Sequence, residues 1–277
     1  MAYVTDELIP PAPPPADVEK RWTAASITGT ILLAFWFAAA VALAAWLIGG
    51  WNTERVAQYG PKYLSGLLTT VQLVATCIVL GAIISIPVAF GRMSKNKIFS
   101  TLAYAYVYFF RGTPLIAQLF LIYYGLGSFR DELDAIGLWV IFRDAWNCAV
   151  FAFSLNTAAY QAEILRGAIQ SVPRGQFEGA QSLGLGRIVT MRKVIFPQAM
   201  IVALRPYGNE IILMIKASAI VSIVTVFDLM GETRRAYSRT FDFQTYIWAA
   251  IFYLLIVEAL RNVWVVLEKR LTRHLKR

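Results

Sequence analysis

Residues 178–199 read EGAQSLGLGRIVTMRKVIFPQA. The stretch carries Arg187, Arg192 and Lys193 and two glycines two residues apart, Gly184 and Gly186. Long apolar blocks flank it on both sides: 27–48, 64–91, 98–129 and 145–162 before it, 198–227 and 243–257 after it. The last block continues past Glu258 to about residue 267. About 20 helical residues cross the ~30 Å of bilayer hydrocarbon, so blocks of this length read as transmembrane helices. The expected fold class is an all-α polytopic membrane protein with about six transmembrane helices. In a chain of 277 residues with 58% hydrophobic content, a soluble domain would need one unusually large core.

The net charge of +9 is high enough to raise the question of nucleic acid. Its distribution answers otherwise, because the basic residues gather between the blocks and at the C-terminus, as membrane orientation requires. No nucleic-acid partner is expected. Residues 20–21, the RMSKNK turn at 92–97, 166–197 and 261–277 together hold sixteen Lys and Arg, and the opposite side holds seven. The richer side is read as cytoplasmic, with both termini and the segment at 178–199 on it. Cys77 and Cys148 each sit inside an apolar block, so neither a disulfide framework nor a metal-ligand spacing arises, and no metal site is expected. His274 belongs to a basic tail, 268–277. Residues 1–26 contain IPPAPPPAD and are expected to form an extended, Pro-rich cytoplasmic tail rather than a cleaved signal, with 27–48 as the first transmembrane helix.

Two features interrupt the apolar blocks. RGTP at 111–114 suggests a short helix, a break, then a spanning helix to about Gly127, since proline suits a first helical turn. The fifth block holds Asn209, Glu210 and Lys216, and each charge inside a span costs roughly 2.5–3.5 kcal/mol unless it has a partner, a cavity or a function. Asn209 and Lys216 are seven apart and share one helical face; Glu210 is about 100° round from Asn209. Such a set can embrace a zwitterion, or its charges can pair with neighbouring helices. NTAAYQAE at 156–163 places Asn156, Thr157, Tyr160 and Gln161 among small residues, which suits interhelical hydrogen bonds or a translocation path. Glu163 with Arg166 and Glu258 with Arg261 have i,i+3 spacing for ion pairs.

The segment at 178–199 predicts a short helix with almost no side-chain bulk at Gly179 and Ala180, a reversal at GLG, then a basic amphipathic helix, with Pro197 at its end or at the start of the next span. Read as physics it is a knob for a protein groove or an interfacial loop. It resembles the EAA loop of bacterial ABC importer permeases, whose pattern is E-A-A, three residues, G, nine residues, I-x-L-P. Here stand Glu178-Gly179-Ala180, three residues, Gly184, nine residues, then Val194-Ile195-Phe196-Pro197, with Gly, Val and Phe as departures. TTVQLV, FRGTPLIAQLFLIYYG, NTAAYQAEILRGAIQSVPRGQ and YGNEIILMIKASAIVSIVTVFDL resemble the polar amino-acid (histidine, arginine and opine) branch of that family.

The resemblance implies the type I ABC-importer permease fold: a five-span core at 64–267, with a coupling loop at 166–197, following an added first span. It implies a transmembrane subunit translocating polar amino acids or opines across the bacterial inner membrane. Expected partners are a cytoplasmic ABC ATPase dimer, a second and non-identical permease subunit, and a periplasmic substrate-binding protein. Glu178, Gly179, Ala180, Gly184, Arg187 and Pro197 would couple to the ATPase. By the pattern N-E-x5-K-D-T-S, Glu210 would face a cationic or amino group and Lys216 a carboxylate, with Asn209 and Asn156 beside them. Ala217 stands where Asp is frequent, which fits one half of a heterodimer or a homodimer with another substrate. No G-x-x-x-x-G-K-[ST] phosphate loop occurs, so the chain is expected to be non-catalytic and to hold no cofactor, with ATP and Mg bound by the ATPase. The alternative from the span charges alone is an ion-gradient-driven secondary transporter of amino acids.

Overall fold

The computed structural model describes residues 23–273, which form helices joined by short turns. The Pro-rich run at 9–17, Lys20, Arg21 and His274 lie outside the described residues. By its internal contacts the chain divides into two units, Met1–Asn52 and Thr53–Arg277. The described part of the first is α1 (Ala24–Gly49), started by Thr23, whose hydroxyl accepts from the Ser26 N–H at 3.2 Å. This helix is apolar all round and exposes nearly every residue, as a helix solvated by lipid does.

The second unit begins with α2 (Thr53–Arg92), α3 (Lys97–Gly112) and α4 (Leu115–Phe120), which runs into a π turn at Leu121–Gly125. Short α5 (Arg130–Ala135) and α6 (Trp139–Phe142) lead to α7 (Ala145–Ser171). Then come α8 (Arg174–Ser182), α9 (Arg187–Thr190), a π turn at Met191–Ile195, and α10 (Phe196–Ser218). A 3-10 turn, Ala219–Val224, precedes α11 (Leu229–Thr240) and α12 (Gln244–Leu271).

Four described helical stretches are long and apolar enough to cross a membrane: Ala24–Gly49, Thr53–Arg92, Arg187–Val224 and Gln244–Leu271. The pair Lys97–Gly112 and Leu115–Gly125 adds a fifth if taken as one broken span. α7 was the expected fourth span and has 27 residues, yet it is not among the apolar ones. It lies against α2, α3 and α10, so its Asn156, Thr157 and Gln161 are buried in protein rather than presented to lipid.

α7 and α2 form the spine, and small residues set how closely they lie. A Cβ on Gly81 would sit 2.5 Å from Thr157 Cγ2 and 2.9 Å from Gln161 Nε2. Gly81→Ala must push the two helices apart, at an expected cost of about 1–3 kcal/mol. A thermal-unfolding scan of the detergent-purified protein should show a midpoint several degrees lower; an unchanged midpoint would contradict this packing. α12 is held to α10 in a related way: Trp264 Nε1 donates to the Leu204 carbonyl at 2.8 Å, with its ring against Gly208.

One expectation needs correction. The break at RGTP does not divide a short helix from a spanning one. The longer piece is α3, the chain turns by 106°, and helix then runs only from 115 to 127, about 20 Å at 1.5 Å per residue. Extended backbone at Thr113 and Pro114 makes the turn, and Gln118 secures it, its Nε2 donating to the Phe110 and Thr113 carbonyls at 2.9 and 3.1 Å. Pro197 stands in the first turn of α10, the start of the next span; the π turn ahead of it shifts the hydrogen-bond register, so helix runs on from Arg187 to Val224. Between the last two blocks the chain is helical as well. Asp228 starts α11, its Oδ1 accepting from the Gly231 N–H at 2.8 Å and its Oδ2 from the Tyr253 hydroxyl at 3.2 Å. Burial pushes the Asp228 carboxyl up to about 6.

Candidate translocation and coupling sites

Glu210 is 6% exposed and faces α7. Thr157 Oγ1 donates to Glu210 Oε1 at 2.8 Å, and Gln161 Nε2 donates to Thr157 Oγ1 and to the Ile78 carbonyl, each at 3.2 Å. Gln161 Oε1 is buried and has no hydrogen-bond partner among the described residues. Among the described residues no salt bridge reaches Glu210; Arg111 is engaged elsewhere, its guanidinium stacked over the Tyr160 ring at 5.1 Å. A buried carboxylate held by one hydroxyl keeps unused acceptor capacity, which a cationic or amino group can take up.

Asn156, one residue from Thr157, serves the broken span. Its Nδ2 donates to the Phe110 carbonyl at 2.9 Å and to Gln118 Oε1 at 3.0 Å. Asn209 and Lys216 are exposed along α10 and make no hydrogen bond or ion pair among the described residues. Six residues put Lys216 about 120° round the helix from Glu210. The chain therefore joins Glu210 with Thr157 and Gln161, and Asn156 with Gln118. It does not bring Asn209, Glu210 and Lys216 into one cradle, because Glu210 turns into the bundle and the other two turn out of it.

The expected i,i+3 ion pairs are present. Arg166 Nη2 lies 2.7 Å from Glu163 Oε2, and Arg261 Nη2 lies 2.6 Å from Glu258 Oε1. Arg92 Nε also reaches Glu163 Oε1 at 3.0 Å, tying the end of α2 to α7, a link no local spacing announces.

The segment at 178–199 forms a turn of defined geometry. α8 ends at Ser182, Gly184 takes φ +70°, and the Leu185 N–H returns to the Ala180 carbonyl at 3.0 Å. Ala180 is buried, whereas Glu178, Gly179, Gly184 and Arg187 are exposed. Leu183 and Ile188 are 79% and 83% exposed, an apolar tip on a basic segment. Gln198 Nε2 donates to Gln176 Oε1 at 3.3 Å, linking α8 to the base of α10. Ile195 and Ala199 are fully buried in the cluster with Ala162, Leu165 and Ile169 of α7. From this tip one helix, Arg187–Val224, leads to Pro197, then Asn209, Glu210 and Lys216.

A multi-span membrane bundle with a basic, apolar-tipped reversal at the base of one long helix has the layout of a membrane transport subunit. Comparison with known proteins agrees. The family described as "Binding-protein-dependent transport system inner membrane component" matches residues 77–273. The nopaline transport system permease protein NocM of Agrobacterium fabrum is 42% identical over 226 residues, covering 81% of this chain and 94% of that protein. The histidine/lysine/arginine/ornithine transport system permease protein HisM of Escherichia coli K12 is 36% identical over 213 residues, 76% of this chain and 90% of that one. A crystal structure of an amino acid ABC transporter with histidines superposes with a TM-score of 0.71 at 35% identity, over 79% of this chain and 99% of that chain. The chain belongs to this family and is a multi-pass permease subunit of an ABC transporter, with ATP hydrolysis left to its partner. The ion-gradient alternative gains no support from these relatives.

Proposed function

We propose that this chain forms one half of the transmembrane pathway of an ATP-driven importer for polar amino acids or opines. The observation that carries the reading is mechanical. A 38-residue helix, about 57 Å at 1.5 Å per residue, runs from the exposed tip at Arg187 past Glu210 and Lys216. Displacing one end of a continuous helix moves the other. Closure of a cytoplasmic ATPase dimer on Glu178, Gly179, Ala180, Gly184, Arg187 and Pro197 then biases the bundle between two arrangements. ATP and Mg are held by that dimer. Both termini lie on the coupling side.

Relatives that handle nopaline, histidine, lysine, arginine and ornithine favour a ligand with an amino or guanidinium group and a carboxylate. Glu210 takes the cation, with Thr157 orienting its carboxylate. Lys216 and Asn209 face out of the single chain, so they meet the ligand's carboxylate at a seam with the second permease subunit. Ala217 leaves that second, non-identical subunit to supply the acid missing here. Purification of the tagged chain with its neighbouring gene products is expected to recover an ATPase and a distinct permease, with ATP hydrolysis stimulated by a substrate-binding protein. Recovery of the chain alone, without ATPase activity, would contradict the proposal.

A further inference from the structure

We infer that two stacked tyrosines on α3, Tyr104 and Tyr108, line the aqueous path on the coupling side of Glu210. There they offer a cation–π station to the guanidinium or ammonium end of the ligand. This rests on the importer reading above. Spacings of four and three put Tyr104, Tyr108 and Arg111 on one face of α3. The two rings stack at 5.9 Å with 25° between their planes. They are 51% and 69% exposed, and neither hydroxyl has a hydrogen-bond partner among the described residues.

Water, rather than lipid, fits this face. Arg111 lies about 21 Å along α3 from Lys97, is exposed, and makes no ion pair among the described residues. Just beyond it, Gly112 and Pro114 are exposed at the extended break before α4. Irregular backbone at membrane depth lines a water-filled cavity or is buried in protein, and charges inside spans face the same places. A tyrosine hydroxyl left alone in hydrocarbon carries the cost of any unpaired polar group.

Rings of this region already receive cations. Arg92, 3.0 Å from Glu163, stands over the Tyr104 ring at 4.8 Å, and Arg111 stands over Tyr160 of α7 at 5.1 Å. Among the described residues no cation stands over Tyr108. Its level in the bundle is fixed by α7. Asn156 Nδ2 donates to the Phe110 carbonyl, and the next residue, Thr157, holds Glu210. Tyr108 and then Tyr104 follow toward the end where Arg92 meets Glu163, close to where α7 gives way to the coupling segment. A cation leaving Glu210 on the α3 side of α7 reaches Tyr108 next. A ring face attracts guanidinium or ammonium without a full charge, so it holds a cation and still lets it leave.

The test uses the complete transporter in proteoliposomes with its binding protein, and reads ATP-driven uptake of labelled arginine. Tyr108→Leu should lower the maximal rate about fivefold, whereas Tyr108→Phe, which keeps the ring, should stay within about twofold of wild type. A trifluorinated phenylalanine at position 108, close in shape but with a weakened quadrupole, should fall to the Tyr108→Leu rate. Phe37→Leu, equally exposed on α1, should leave uptake unchanged. Equal rates for the plain and fluorinated rings would overturn the station. Tyr108→Cys should react in the complex with a charged, membrane-impermeant thiosulfonate and be protected by arginine. Reaction with a lipophilic maleimide alone would place this face in lipid, and reaction with neither would place it against the second permease. Both results would overturn the aqueous assignment. A wild-type complex without ATP-driven arginine uptake would contradict the importer reading itself.

Discussion

Gly184→Pro is expected to reduce uptake about 100-fold while the protein still inserts and accumulates in the membrane. Gly184 holds φ +70°, which the proline ring cannot reach, and its N–H donates to the Gln181 carbonyl at 2.9 Å. A penalty of about 3 kcal/mol leaves roughly one chain in a hundred with the turn between α8 and α9 formed. The residues the turn presents, Leu183 and Ile188, contribute little to the fold, so the loss falls on docking rather than on assembly of the spans. Gly184→Ala should cost only about 1–2 kcal/mol and give an intermediate rate. Glu178→Lys, exposed on the same tip, should uncouple without moving the turn. Uptake assays on membranes with matched protein levels decide the matter. Wild-type rates in Gly184→Pro and Glu178→Lys would remove the coupling role from this segment.

Glu210→Gln carries the second large effect, an expected 10- to 100-fold fall in transport. The substitution keeps shape and hydrogen-bonding length and removes the charge, and a charged hydrogen bond contributes about 1.5–3 kcal/mol. Thr157→Val removes the single hydroxyl that orients the carboxylate and should cost less, about fivefold. The two effects should be less than additive, because both act on one contact with the ligand. Transport kinetics of the two single variants and the double variant measure this directly. Unaltered transport by Glu210→Gln would show that the buried carboxylate is structural.

Much of this was legible in the sequence because it depends on local rules. Block length gave four of the six expected spans, i,i+3 spacing gave Glu163–Arg166 and Glu258–Arg261, and the paired glycines marked the reversal at Gly184. What escaped depends on contacts between distant segments. The side of α10 on which Glu210 falls is decided by Thr157, 53 residues away. The sharp turn after α3 depends on Gln118 reaching back to Phe110 and on Asn156 of α7. The lone glutamine in PLIAQLF was the available sign of it. GETRRAYSRT is polar and shows no local sign of the helix α11, which is stabilised by Asp228 as N-cap and by packing of Leu229 and Ala236 against Tyr59, Tyr63 and Ala249. The block at 145–162 reads as an ordinary span, and only the central position of α7 explains why it tolerates so many polar side chains.

A permease driven by another chain's ATP cycle must transport on ATP alone. The most direct measurement is uptake of labelled arginine and nopaline into proteoliposomes that contain the purified transporter, with binding protein outside and ATP inside. Uptake should require internal ATP and the binding protein and persist when proton and sodium gradients are collapsed. Uptake that proceeds without ATP and stops when those gradients are collapsed would contradict it.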